Sequence, residues 1–225
     1  MAQDTKVRLA PGGGGGGAWI GGPKTASSDN FNGSAENQEA SGTSIFDPVL
    51  TELCYRWFCP PGGLILDPFA GGSVRGIVAS VLGYKYEGFE LRAEQVAANR
   101  RQAADICPEN SPAWHVGDSA AQIPLWGGQA DFLFSCPPYG DLEVYSDMPD
   151  DLSAMSHEDF LVAYRTVIAA AVDKLAPDSF AVFVVGDYRC KKGFYRNFVG
   201  ETVAAFEAAG ARFYNEAILV TAVGS

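Results

Sequence analysis

The chain has 225 residues, 47% of them hydrophobic, with a formal net charge of −11. That is enough apolar material for one sizeable core, and too acidic to grip nucleic acid by bulk electrostatics. The five cysteines form no CxxC pair, and neither His115 nor His157 stands at ligand spacing from a cysteine. This argues against a disulfide framework or structural zinc, and for a reducing cytoplasm. No apolar run reaches spanning length and no signal peptide opens the chain, so neither membrane insertion nor export is expected.

Residues 1–43 are rich in Gly, Ser, Asn and Ala without apolar period, and read as a flexible tail. The expected catalytic domain is 44–225. A strand is predicted at "GLILDPFA" (63–70), then a helix at "GGSVRGIVASVLG" closed by Gly83. "KYEGFEL" (85–91) reads as the second strand and 92–106 as a helix, followed by strands at 113–119 and 130–136. The clearest helix begins at the N-cap Ser156, with Asp159 three residues on, and ends at Pro177. Its apolar face is Phe160, Tyr164, Val167, Ile168, Ala171 and Leu175. A fifth strand (179–188), a helix (199–210) and a sixth strand (216–223) complete the pattern. Strands alternating with helices predict a doubly wound, Rossmann-like, mostly parallel α/β sheet, whose ligands bind at the carboxyl ends of the strands.

Those ends carry chemistry. After the first strand come Asp67 and the turn Gly71, Gly72, Ser73, Gly76. Such glycines let backbone approach a ligand, and a helix N-terminus offers free N–H groups. Glu90 closes the second strand, where a carboxylate suits a ribose diol, and Asp118 closes the third. Together they predict a nucleoside-containing cofactor. The GxxxxGK[ST] lysine is missing, which disfavours nucleotide hydrolysis. A nicotinamide dinucleotide fingerprint is only approximated, with Ser73 at its second glycine.

"DPFAGGS" followed by "SCPPY" resembles the S-adenosylmethionine-dependent amino-methyltransferases that act on nucleic acid bases, and the longer run "SCPPYGDLEVYSD" looks phage-type. The resemblance covers 44–225 and implies methyl transfer to adenine N6 or cytosine N4 in DNA, with the target base flipped out, in a bacterial or phage-infected cell. It implies that Ser44, Phe46 and Asp47 lie at the methionine end of the cofactor, and that Asp67, Phe69, Ala70, Gly71, Gly72 and Ser73 run along it. It implies further that Glu90 holds the ribose, Asp118 faces the adenine, and Cys136, Pro137, Pro138 and Tyr139 hold the target base. A sheet of this family ends on a seventh strand. The chain stops after its sixth and has no long target-recognition insert, so a missing C-terminal segment or a protein partner is expected to supply sequence specificity.

Two prolines after a strand make a stiff turn without N–H groups, presenting carbonyl oxygens to an amine. Acceptors aimed at both amine hydrogens localise its lone pair, and an aromatic face at Tyr139 suits a flipped base. Cys136 departs from the family's Asp, Asn or Ser, and a thiol is a weak acceptor. It substitutes as an acceptor, acts as a nucleophile for ring-carbon chemistry, or marks a binding module with little catalysis. RNA is the alternative substrate, and a dehydrogenase is the remote one. The acidic run Asp141, Glu143, Asp147, Asp150, Asp151 reads as a solvated loop or a gate over the base. Arg189, Lys191, Lys192 and Arg196, interleaved with Tyr188, Phe194 and Tyr195, read as a nucleic-acid contact.

Overall fold

A computed structural model describes residues 45–140, 148, 151–190 and 192–220. The expected tail (1–43), Ser44, Lys191 and the acidic residues Asp141, Glu143, Asp147 and Asp150 lie outside these. One compact unit spans Ser41–Phe213.

Its described elements are α1 (Pro48–Phe58), β1 (Leu64–Asp67), α2 (Val74–Val81), β2 (Lys85–Glu90), α3 (Ala93–Ile106) and β3 (Ala113–Val116). There follow α4 (Ser119–Leu125), β4 (Ala130–Ser135), α5 (His157–Asp173), β5 (Leu175–Phe183) and α6 (Phe198–Ala208). The strands form one sheet in the order β3-β2-β1-β4-β5, with every pairing parallel. The order reverses between β1 and β4, and a crevice opens there outside the strand ends.

Alternation along the central strands divides the core. Ile65, Phe132 and Phe134 pack with Tyr55 of α1 and Ala79 of α2. Leu66 and Leu133 face the other way, onto Ile123 of α4 and Val167 and Ala171 of α5. Both layers are fully buried, which is why these strands read as unbroken apolar runs.

Local chemistry explains two helices that pattern reading passed over. Asp47 caps α1 by accepting from Val49 N–H (2.8 Å) and Leu50 N–H (3.2 Å), with Pro48 at the first position. Asp118 caps the short α4, accepting from Ala120 N–H at 3.0 Å. As predicted, α5 starts at Ser156, whose Oγ accepts from Asp159 N–H at 3.2 Å.

The end of α5 corrects the sequence expectation. The helix stops at Asp173, and Leu175 opens β5 instead of closing the helical face. Leu175 pairs with Ala130 and Phe180 with Phe132, so the residues between them bulge, Pro177 and Asp178 (φ 60°) among them. Proline is tolerated at such an irregularity on an edge strand, where its missing N–H leaves no ladder bond broken. The strand ends at Phe183, five residues short of expectation. The expected sixth strand does not form over 216–220, which carry no helix or strand, and 221–223 lie outside the described residues. Among the described residues no helix is long and apolar enough to cross a membrane.

Candidate active site

A cavity of about 520 Å³ opens at the β1/β4 switch. Its walls come from the turn after β1, the end of β2, the start of α4, the "CPPY" turn after β4 and the segment before α5.

The wall after β1 is wired by polar groups. Asp67 is fully buried and its carboxylate is saturated. Oδ2 accepts from Arg75 Nε (2.6 Å) and the Tyr86 hydroxyl (2.8 Å), and Oδ1 from the Ser135 hydroxyl (2.6 Å) and Phe69 N–H (3.2 Å). Arg75 also donates to the carbonyls of Phe69 (2.5 Å) and Ala70 (3.0 Å), and its guanidinium lies 4.8 Å from the Phe46 ring centroid. Burial is the largest single influence on Arg75 and lowers its pKa, but the Asp67 charge and hydrogen bond, with Tyr86 and Cys136, together outweigh it and the net shift is upward. Burial, with the Asp67 charge behind it, raises the Tyr86 pKa well above the usual phenol value.

The glycine turn hangs on this frame. Gly71 has φ +50°, a left-handed conformation that glycine adopts without strain, and both Gly71 and Gly72 face open space. Gly71 N–H donates to Glu90 Oε2 (3.0 Å), while its carbonyl accepts from the buried Asn99 Nδ2 (2.7 Å). Glu90 Oε1 accepts from Arg92 N–H (3.0 Å). Ser73 donates its hydroxyl to Gln102 Oε1 and leaves α2 without a side-chain cap. Ser119 Oγ donates to the Pro68 carbonyl (2.6 Å), tying the turn to α4.

The opposite wall is held by rings. Tyr139 meets Tyr188 edge-on (5.9 Å, 89°) and packs against Phe198 (5.7 Å). Gly140 sits at φ +56°, and a Cβ there would come within 2.8 Å of the Tyr188 hydroxyl.

Most sequence-predicted site residues meet here. Phe46, Phe69, Gly71, Gly72, Ser73, Glu90, Asp118, Cys136, Pro137, Pro138 and Tyr139 all line the cavity. Asp67 and Ala70 do not: both are fully buried and support the turn from behind. Asp47 is exposed and serves as the α1 cap. Arg189, Lys192 and Arg196 are not lining residues either. They belong to a loop in which Arg189 donates to the Gly193 carbonyl (2.8 Å) and covers the Tyr195 ring (4.0 Å).

Sequence reading missed Arg75, Asn99 and Gln102. Arg75 was the most legible, as a cation inside the apolar run "SVRGIVASV". A charge there requires a buried partner. Asn99 and Gln102 stand three apart on α3, on the face that meets the turn. Asp151, read with its acidic run as a solvated loop or a gate over the base, is only 7% exposed and lines the cavity. Its carboxylate is turned inward to cap the short 3-10 helix Leu152–Ala154, accepting from Ser153 N–H (2.9 Å) and Ser153 Oγ (2.6 Å).

No family model matches the chain, and no curated protein does. Solved structures do. TrmN from Thermus thermophilus superposes with a TM-score of 0.50 at 20% identity, over 64% of this chain and 40% of TrmN. A protein assigned as an rRNA-methylase from Clostridium thermocellum gives 0.53 at 11% identity, over 73% and 84%. Magnesium protoporphyrin IX methyltransferase from Synechocystis PCC 6803, with bound SAH, gives 0.50 at 14%, over 72% and 69%. The chain thus spans well under half of TrmN. At these identities the likeness establishes a shared α/β fold, the one these methyltransferases use.

Proposed function

We propose that this protein binds S-adenosylmethionine and methylates the exocyclic amine of adenine or cytosine in DNA. One observation carries the reading: the glycine turn, Glu90 and Asp118 share a single cavity with the rigid Cys136–Tyr139 turn. The residues present suit the cofactor. Gly71 and Gly72 leave backbone open to a close approach, and Glu90 retains acceptor capacity beyond its two backbone bonds. In this reading Glu90 accepts from ribose hydroxyls, Asp118 from the adenine amine, and Phe46 closes the methionine end. When bound, the cofactor supplies an electrophilic methyl on a sulfonium.

The remaining work falls to the protein's own residues. Prolines 137 and 138 have no N–H to donate, so the turn offers carbonyl oxygen to the target amine. Tyr139, braced by Tyr188 and Phe198, offers a ring face to an extruded base. Arg189, Lys192 and Arg196 contact phosphates, giving position without sequence information. A protein partner or further segment supplies the target sequence.

A second reading, the same transfer to RNA, is favoured by the net charge of −11, which suits a structured or protein-held substrate, and by the name of one structural neighbour. Incubation with labelled cofactor and either DNA or RNA, followed by digestion to nucleosides, tests both. Labelled N6-methyladenine or N4-methylcytosine from DNA is expected. Label in RNA alone moves the substrate, and no labelled nucleoside from either overturns the proposal.

A further inference from the structure

An amine poised for alkylation presents two hydrogens, and the turn after β4 supplies one good acceptor, a proline carbonyl. The neighbouring side chain is the Cys136 thiol, a weak acceptor. The cavity wall holds a stronger one. Asp151 lines the same cavity as Cys136, Pro137, Pro138 and Tyr139, and is 7% exposed. Its Oδ1 is clamped by the backbone and hydroxyl of Ser153, which fixes the carboxylate's orientation. The adjoining Leu152 is buried in the cluster that holds Tyr139 against Phe198 and Tyr188, so the segment carrying Asp151 is anchored to the proposed base platform.

We propose that Asp151 is a catalytic residue of this site, accepting the second hydrogen of the target amine in place of the residue that Cys136 displaces. The inference rests on the amine-methylation reading above. As the amine nitrogen forms its bond to the methyl carbon, that carbon's bond to sulfur breaks and the electron pair stays on sulfur. The nitrogen then carries one proton too many, and that proton passes to the Asp151 carboxylate and on to solvent. A carboxylate does both jobs, accepting a charge-assisted hydrogen bond first and the proton afterwards.

The test compares Asp151→Ala, Asp151→Asn and the double variant Asp151→Ala/Cys136→Ser in the full chain. It measures single-turnover methyl transfer to DNA and, by calorimetry, cofactor affinity. Asp151→Ala is expected to slow transfer about 100-fold, the usual scale for one transition-state acceptor or base, with cofactor Kd within about threefold of wild type. Asn keeps the cap of the 3-10 helix, so Asp151→Asn folds normally and is expected to slow transfer about 10-fold through loss of the charge. Adding Cys136→Ser restores a hydroxyl acceptor and recovers at least part of the Asp151→Ala loss. Transfer by Asp151→Asn at the wild-type rate overturns the assignment, as does a fall in cofactor affinity that matches the fall in rate. Either result leaves the amine-methylation reading standing if the wild type forms product. A wild type that forms none from DNA or from RNA overturns both, and one that acts on RNA alone moves the same comparison of variants to RNA.

Discussion

The two walls of the cavity are built on different physics. The wall after β1 is a hydrogen-bonded lattice around one buried ion pair, Asp67–Arg75, with every loop atom it touches pinned by a named donor or acceptor. The wall after β4 is a nest of rings, Tyr139, Tyr188, Phe160 and Phe198, meeting at 5.7–5.9 Å centroid spacings and mostly at steep angles. Hydrogen bonds fix a backbone within tenths of an ångström, which would suit a glycine turn approaching the proposed cofactor. Ring pairs prefer edge-on or offset geometry but set it less tightly than a hydrogen bond does, which would suit the proposed entry and release of a base. One side chain joins the two walls: Ser135, the last residue of β4, donates to Asp67 and accepts from Phe69 N–H at 3.2 Å.

The contrast predicts a graded set of outcomes. Asp67→Ala strands the buried Arg75 cation and should cost about 3–5 kcal/mol in urea denaturation, with cofactor binding lost in calorimetry. A cost under about 1 kcal/mol would remove the ion pair as the organiser of that wall.

Alkaline pH should come next. Burial raises the Cys54 thiol to about 11 and Cys59 to about 12. It also raises Tyr55, Tyr86 and Tyr164 above their usual range. Each folded pKa lies above its unfolded value, so the native state holds protons the unfolded state has released. The stabilisation is complete below the ordinary thiol pKa of 9.0 and declines as pH rises toward the folded values. Denaturation midpoints measured at pH 8 and pH 10.5 should therefore differ, with the alkaline one lower. Equal midpoints would contradict the burial of these groups.

Asn99→Ala removes the donor to the Gly71 carbonyl and should cost about 1–3 kcal/mol, weakening cofactor affinity about 10-fold. Tyr139→Ala sits on the other wall and should behave differently. Half-buried, it should cost about 1 kcal/mol of stability, lower kcat/KM for nucleic acid, and leave cofactor affinity unchanged. Were both variants to lose cofactor affinity equally, the division between the walls would fail. Arg165→Ala serves as the floor. Its ion pair with Glu201 (2.6 Å) joins side chains 49% and 30% exposed, and its loss should shift stability by under about 0.5 kcal/mol.

The legible parts of this molecule were those governed by local rules. β1 and β4 appeared as apolar runs and β2 and β3 as strands alternating with helices, the α5 face from Phe160 to Ala171 followed helical spacing, and the strand-end residues Gly71, Glu90, Asp118 and Cys136 marked the crevice. Errors fell where neighbours overrode local preference. Pro177 ends a helix by its own geometry, yet the chain had already left the helix at Asp173 because Leu175 pairs with Ala130. Asp118 was read as a ligand residue and is also a cap, a second role available only because α4 starts beside it.

Sequence alone determined the alternation of strand and helix, and with it a parallel sheet whose strand ends carry the chemistry, because period, proline and glycine act within a few residues of themselves. It also exposed Cys136 as the residue out of place. Only tertiary structure decided which carboxylate does what. Asp67 and Asp151 are each one of many acidic residues in the string. One is sealed behind the glycine turn by Arg75, Tyr86 and Ser135, and the other lines the cavity while Ser153 holds its carboxylate as a cap. A carboxylate's role depends on which donors surround it and how much water reaches it, and the fold sets both: Ser135 reaches Asp67 from 68 residues away, while Ser153, two residues from Asp151, meets it only because the chain turns there.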